Sequence, residues 1–275
     1  MTFSASRRAL LAAAAAGLGL RLSPGMAGTC EGSGTARTLP VGTAGGLFVG
    51  LKSYPRTLAL ADREVVLTFD DGPAANTPRV LDALACAGTR ATFFLIGRNA
   101  EAQPALVRRI AAEGHTIACH SHTHPWTMRQ RSPEAARTDI QSGFDAISAA
   151  LGKPCAPFFR YPGFADTEDL NTWLASRDIG VFGCDLWASD WTPMSPAAQL
   201  ALVRQRLERA RRGIILFHDT QAQTAAMIPD FLAGLASGGY RVVHIAAGPG
   251  QADTLAAGPG WTSETERTIA MARHH

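Results

Sequence analysis

The sequence predicts an α/β fold in which parallel strands are covered by outer helices. Seven short apolar runs recur along the chain, at Glu64–Phe69, Ala91–Ile96, Thr116–Cys119, Phe158–Tyr161, Gly180–Cys184, Ile214–Phe217 and Arg241–Ile245, and stretches of helical periodicity separate them. Such an alternation implies parallel pairing, because parallel neighbours need a long connection and a helix supplies one. Polar clusters stand directly after five of these runs, at the carboxyl ends of the strands, where open doubly wound sheets and closed barrels alike place function. The alternation alone does not choose between those two architectures.

Taken in order, residues 1–27 carry Arg7 and Arg8, a short Ala/Leu/Gly run and a small-residue cleavage point after Ala27, the pattern of an export signal peptide. "SRRALL" resembles a twin-arginine signal, which implies export to the periplasm or beyond. The run from Ala9 to Leu20 is too short to span a bilayer, so no stable membrane insertion is expected. Residues 28–61, rich in Gly, Thr and Ala, read as an extended lead-in. Among the helices, Ser132-Pro133-Glu134 supplies a cap and a first-turn proline, and Ile140, Phe144, Ile147 and Leu151 form one apolar stripe. Ser195-Pro196 opens another, with Leu200, Val203 and Leu207 as the stripe and Arg209, Arg211 and Arg212 near its carboxyl end. Residues 248–275 lack apolar periodicity and read as a flexible tail.

The chain has 275 residues, 46% apolar and 18% charged, which fits a folded protein with a sizeable core and excludes disordered and fibrous classes. The net charge of +3 equals the three arginines of residues 1–27, Arg7, Arg8 and Arg21, so the remainder is formally neutral and no nucleic-acid partner is indicated. Cys30, Cys86, Cys119, Cys155 and Cys184 show neither C-x-x-C nor zinc-finger spacing; one or two disulfides could form after export, while Cys86 and Cys119 read as buried small hydrophobes.

The chemistry begins at "TFDDGP", Thr68 to Pro73. Two adjacent carboxylates at a buried strand end repel each other, and a bound cation relieves them. "HSHTH" follows the third strand, with His120 and His124 four apart, which on a helical turn puts both imidazoles on one side. With one aspartate of the Asp70-Asp71 pair they form a borderline-to-hard donor set that leaves a position for water, consistent with zinc and also with cobalt, nickel or manganese. The other carboxylate then stands where a general base is needed. His122 would point away on such a turn; on a strand, His120 and His122 would pair instead. His115, His244, His274 and His275 have no such company and read as structural or solvated. "RYPGF" ends the fourth strand, "DLWASDW" the fifth and His218-Asp219 the sixth.

These stretches, "TFDDGP", "HSHTHP", "RYPGF", "SDW" and "LFH", resemble the five ordered motifs of the polysaccharide deacetylase family, NodB-type carbohydrate esterase family four, over roughly Glu64 to Ile245. The resemblance implies a distorted (β/α)7 barrel over residues 62–247 and metal-dependent removal of N-acetyl groups from sugars of a polysaccharide or oligosaccharide, with acetate released. It implies Asp71, His120 and His124 as metal ligands, Asp70 as general base, Arg160 as the group orienting that base, His218 as general acid and Asp190 as its carboxylate partner. Two positions depart from the family pattern. Gly163 stands where the family has a tyrosine whose N–H holds the oxyanion; the donor survives, and Tyr161 or Phe164 is left to supply the aromatic wall. Trp187 occupies the first Asp position of the fourth motif, with Asp185 two residues earlier. Trp191 is expected to line the cleft and Leu216 to wall the pocket for the acetyl methyl group.

The same site can attack an ester, so an O-acetyl esterase such as an acetylxylan esterase is the near rival, and a non-catalytic glycan-binding barrel the distant one. No G-x-S-x-G elbow and no G-x-G-x-x-G after the first strand favour a serine hydrolase or a nucleotide-binding fold. The expected partner is an N-acetylated glycan; the oligomeric state is left open.

Overall fold

The computed structural model describes Met1 and residues 32–266. The expected export signal lies, Met1 apart, outside the described residues, as does Cys30. The described chain begins with β1 (Thr35–Gly42), β2 (Leu47–Val49) and β3 (Arg56–Leu58), so the stretch read as a lead-in is part of the fold. Its Val41, Val49, Leu58 and Leu60 are buried.

The seven expected strands then follow as β4 (Glu64–Asp70), β5 (Thr92–Leu95), β6 (Thr116–Cys119), β7 (Phe158–Phe159), β8 (Gly180–Phe182), β10 (Gly213–His218) and β11 (Arg241–Gly248), with a short β9 (Leu186–Trp187) before β10. Between them run α1 (Thr77–Cys86), α2 (Gly97–Ala102), α3 (Pro104–Ala112), α4 (Pro133–Leu151), α5 (Glu168–Ala175), α6 (Pro196–Ala210) and α7 (Ala222–Ser237). Ser132 and Ser195 cap α4 and α6 as expected, their hydroxyls accepting from the N–H groups of Ala135 and Ala198. Gly152 ends α4 in the left-handed conformation that a residue without Cβ adopts at no steric cost.

All pairings in the main sheet are parallel, in the order β10, β4, β5, β6, β7, β8. Only Gly183–Asp185 separates β8 from β9, and β9 pairs β10. The row thus returns to its starting strand and closes a distorted barrel. The distortion lies at β11, which pairs β4 only at Arg241 and Val242 and otherwise runs beside β1 from Val242 to Gly248.

The pleat divides the core in two. Val66, Phe94, Ala118, Phe158, Phe182, Ile214 and Leu216 form one buried cluster together with the residues of β1–β3. Val65, Leu67, Phe69, Phe93, Leu95, Ile117, Phe159, Ile215 and Phe217 form the other, packed against helix residues such as Val80, Val107, Ile140, Val203 and Phe231. Successive residues of each strand alternate between the two clusters, as a period of two requires. The barrel is therefore filled by one parity of its strands and clothed by the other.

The stretch expected to be a flexible tail also packs, as far as residue 266. β12 (Thr254–Ala256) pairs β3 antiparallel, and the Trp261 indole N–H donates to the Leu51 carbonyl at 2.7 Å. Its partners are the short strands of the amino-terminal segment, so its own pattern carries no sign of them. Among the cysteines, Cys119 is the buried thiol expected, whereas Cys86 is disulfide-bonded rather than a buried small hydrophobe.

Candidate active site

Asp70, His120, Arg160 and His218 continue the parity that fills the barrel, two residues beyond Thr68, Ala118, Phe158 and Leu216. Their side chains therefore leave the strands on the inner side at the carboxyl end. Asp71 would face outward on an extended backbone, but a φ of +74° turns it. His124 reaches the same place from a loop in which Ser121 has φ +64° and His124 φ +56°. The four-residue spacing thus works through two left-handed turns and not through the helical turn that the sequence suggested. Non-glycine residues in this region carry strain, and strain of this kind collects at functional sites.

The result is a compact cluster. Asp71 Oδ1 lies 3.5 Å from His120 Nε2 and 3.2 Å from His124 Nε2, and one ligand atom from each residue falls within 4.8 Å of the others. The His120 Nδ1–H donates to the Arg160 carbonyl at 2.7 Å, which turns Nε2 toward the cluster as an acceptor. Asp71 Oδ1 is buried without a hydrogen-bond partner, so an acceptor is left over at the point where the two imidazoles converge. That combination fits a divalent cation. Burial opposes charge on Asp71, yet the His124 ring beside it and the nearby His120 and His218 hold its carboxyl well below the usual range. Burial also lowers the His120 pKa against the pull of Asp70 and Asp71, favouring the neutral ring that can act as a ligand.

Asp70 has a different environment. Its Oδ1 accepts from Arg160 Nη1 at 2.6 Å, and Arg160 is itself fully buried. The guanidinium also donates to Thr68 Oγ1 and to the carbonyls of Phe182 and Gly183, and it lies over the Phe94 ring. Arg160 thus neutralises one of the two adjacent carboxylates, and a cation held by the Asp71 cluster would neutralise the other.

On the opposite side, His218 Nδ1 lies 2.7 Å from Asp190 Oδ1, and its backbone N–H donates to Asp190 Oδ2 at 2.7 Å. Thr224 donates to the same carboxylate. Burial disfavours the imidazolium, but the Asp190 charge and hydrogen bond outweigh it and raise His218 to about 9. His218 Nε2 is 3.9 Å from Asp71 Oδ2, so the charged ring faces the carboxylate cluster.

These groups open into a cleft of about 430 Å³ lined by Asp70, His120, His124 and His218 and walled by Trp126, Tyr161, Gly163, Phe164, Trp187, Trp191, Leu216 and Thr265. Every metal, base, arginine, acid and cleft residue expected from the sequence, Asp190 and Arg160 behind the wall included, belongs to this one site. His122 does not: it sits near Glu101, on the side where a Cβ on Gly97 would meet its ring. Asp185 does not either, since it accepts from the N–H groups of Leu51 and Ile214 and from Thr57 and ties β3 to β10. Trp126 and Thr265 also line the cleft, though neither stands in a pattern that marks it in the sequence. A larger hollow of about 750 Å³ beside Phe48, Tyr54 and Arg129 contains none of the expected site residues.

A family model described as polysaccharide deacetylase matches residues 58–181. The peptidoglycan-N-acetylglucosamine deacetylase of Bacillus cereus is 32% identical over 202 residues, a match covering 69% of this chain and 72% of that protein. The chain belongs to the polysaccharide deacetylase family. The bifunctional xylanase/deacetylase of Pseudobutyrivibrio xylanivorans is 35% identical over 185 residues, which cover 66% of this chain but 29% of the relative. Among solved structures, the peptidoglycan deacetylase of Bdellovibrio bacteriovorus superposes with a TM-score of 0.71 at 32% identity, covering 80% of this chain and 60% of that one. Asp190 and His218 fall beyond the residues the family model matches, so their pairing rests on the geometry itself.

Proposed function

We propose that the protein is a metal-dependent hydrolase that removes N-acetyl groups from the sugars of a polysaccharide or oligosaccharide and releases acetate. The observation that carries this reading is the meeting of Asp71, His120 and His124 around an unpartnered carboxylate oxygen, with Asp70 on one side and His218 on the other. Asp71, His120 and His124 would hold a divalent ion, most consistently zinc, whose catalytic sites combine three protein ligands with an open position. Such an ion, when bound, supplies a Lewis acid for the acetamide carbonyl and lowers the pKa of water.

The chain's own residues do the rest. Asp70, locked by Arg160, takes the proton of the attacking water. Charge developing on the carbonyl oxygen is met by the Gly163 N–H at the cleft wall. His218, kept protonated by Asp190, gives its proton to the departing amine nitrogen, and Asp190 holds the ring in position. Leu216 and the cleft's aromatic side chains exclude water from the acetyl methyl group. The relatives' printed names point to N-acetylglucosamine polymers of the cell wall as the substrate class.

Such a substrate lies outside the cytoplasm, and we place the protein there, exported through the arginine-bearing leader to the periplasm or beyond. The Cys86 disulfide supports an oxidising compartment, and among the described residues no helix is long and apolar enough to cross a membrane.

The test is acetate release from N-acetylglucosamine oligomers and from acetylxylan, with metal analysis of the same samples. Wild type should release acetate from the oligomers. Asp70→Asn should keep its metal and lose turnover by about 10²-fold or more, while His120→Ala should lose the metal as well. Cleavage of the ester alone would make this an O-acetyl esterase. No release with zinc or cobalt present would leave a glycan-binding barrel.

A further inference from the structure

We propose that Trp126 is a stacking platform for a second sugar ring, so that the cleft takes a chain of N-acetylhexosamines in preference to a single one. This rests on the deacetylase reading of the cleft. Among the described residues the large hydrophobics left exposed are Met1, Trp126 at 71% and Trp191 at 48%, and the two indoles line the same cleft. Exposed aromatic surface beside a polar centre marks a recognition site.

The two rings are placed on different sides of the reacting groups. Trp191 meets the His218 imidazole edge-on with centroids 5.8 Å apart, and Trp126 meets the His124 imidazole edge-on at 4.8 Å. An acetamido group held between His218 and the Asp71–His120–His124 cluster brings its sugar against one of these walls. The other wall is then left for the neighbouring ring, whose C–H face an indole covers well.

Trp126 is also held in place, which an incidental surface residue need not be. Its six-membered ring lies against Gly163, where a Cβ would come within 2.9 Å of Trp126 Cε3 and 3.1 Å of Cζ3. Gly163 has φ +56°, so glycine serves there both for the backbone and for the close approach of the indole. The 3-10 turn Met128–Gln130 follows at once, and its Met128 is buried in the core. The aromatic side chain missing at position 163 is thus replaced from a different loop, by a ring lying over the glycine.

The test uses the full zinc-loaded chain. Wild type gives KM for the N-acetylglucosamine monomer and tetramer. The Asp70→Asn background gives tetramer binding without turnover, read by isothermal titration calorimetry. Trp126→Ala should weaken tetramer binding about tenfold, the size of one stacking contact, and abolish most of the tetramer's advantage over the monomer. Trp126→Phe should restore most of both. Thermal unfolding of Trp126→Ala should match wild type, since the ring is largely exposed, and this separates loss of binding from loss of fold. If Trp126→Ala binds tetramer as wild type does, or loses monomer and tetramer affinity equally, the platform is wrong while acetate release leaves the deacetylase reading standing. If the tetramer binds through Trp126 and no N-acetyl sugar yields acetate, the deacetylase reading fails and the platform stands.

Discussion

Arg160 condenses the chemistry of the site into one residue. A guanidinium removed from water is costly unless its N–H groups are taken up, and here they reach Asp70, Thr68 and the carbonyls of Phe182 and Gly183. Arg160→Met should therefore destabilise the protein by about 3–5 kcal/mol in urea unfolding, because a buried Asp70 carboxylate is left alone. Adding Asp70→Asn to the same chain should recover part of that loss. At His218 the expectation concerns pH. Its raised pKa of about 9 keeps the ring charged through neutrality, so if it acts as the proposed proton donor the rate should fall only as pH rises through that value. In Asp190→Asn the remaining influence of burial pulls the pKa down, and the alkaline limb of kcat should move lower by about one to three units. The convergence of Asp70, Asp71, His120, His124 and His218 was legible because each stands in a short ordered motif at a strand end. Trp126 was not, because its meaning depends on the absence of a side chain at Gly163, which is distant in sequence and adjacent in space.

Among the elements, the ones with several residues of periodic pattern could be read and the shortest could not. The stripe of α4 and the caps at Ser132 and Ser195 are local signals that the structure keeps. β2, β3 and β9 are too brief to show alternation, and β1 is largely exposed until its last two residues, so no sequence pattern announces any of them. β6 and β11 meet through side chains that also carry a pH dependence. Thr116 Oγ1 donates to the Ile245 carbonyl and so accepts from His244 Nε2, while His115 Nδ1 accepts from the Ala91 N–H. Both histidines are buried, and burial lowers each to about 4. Unfolded histidines bind protons near pH 6.5, so between there and 4 the unfolded chain holds more protons than the native one. Stability should be full above about pH 6.5 and fall as pH drops toward 4. Thermal melts across that range check this, and His244→Gln, which keeps a donor for Thr116, should make the fall shallower.

For the whole molecule, the division into two core clusters places the proposed ion site at the mouth of a barrel whose packing does not depend on it. Chelation should abolish acetate release reversibly, with zinc or cobalt restoring it. It should lower the melting temperature only by the binding energy of the ion, leaving circular dichroism at 25 °C native. The seven strands and their parallel pairing were legible from the alternation, and their closure into a barrel only from the motif resemblance; the packing of β1–β3 and β12 around them was not legible, because β12 and β3 are recognisable only as a pair.

Strand parity has a consequence for how the barrel can change. Leu216 and His218 look inward and Phe217 looks toward the helices, so one residue inserted into β10 would exchange these destinations from that point on. The His218 imidazole would be driven into an oily layer and a phenyl ring into the mouth. Lengthening or shortening is therefore confined to the connecting loops, and any variant that alters a strand's count must forfeit its hydrolysis and its packing together.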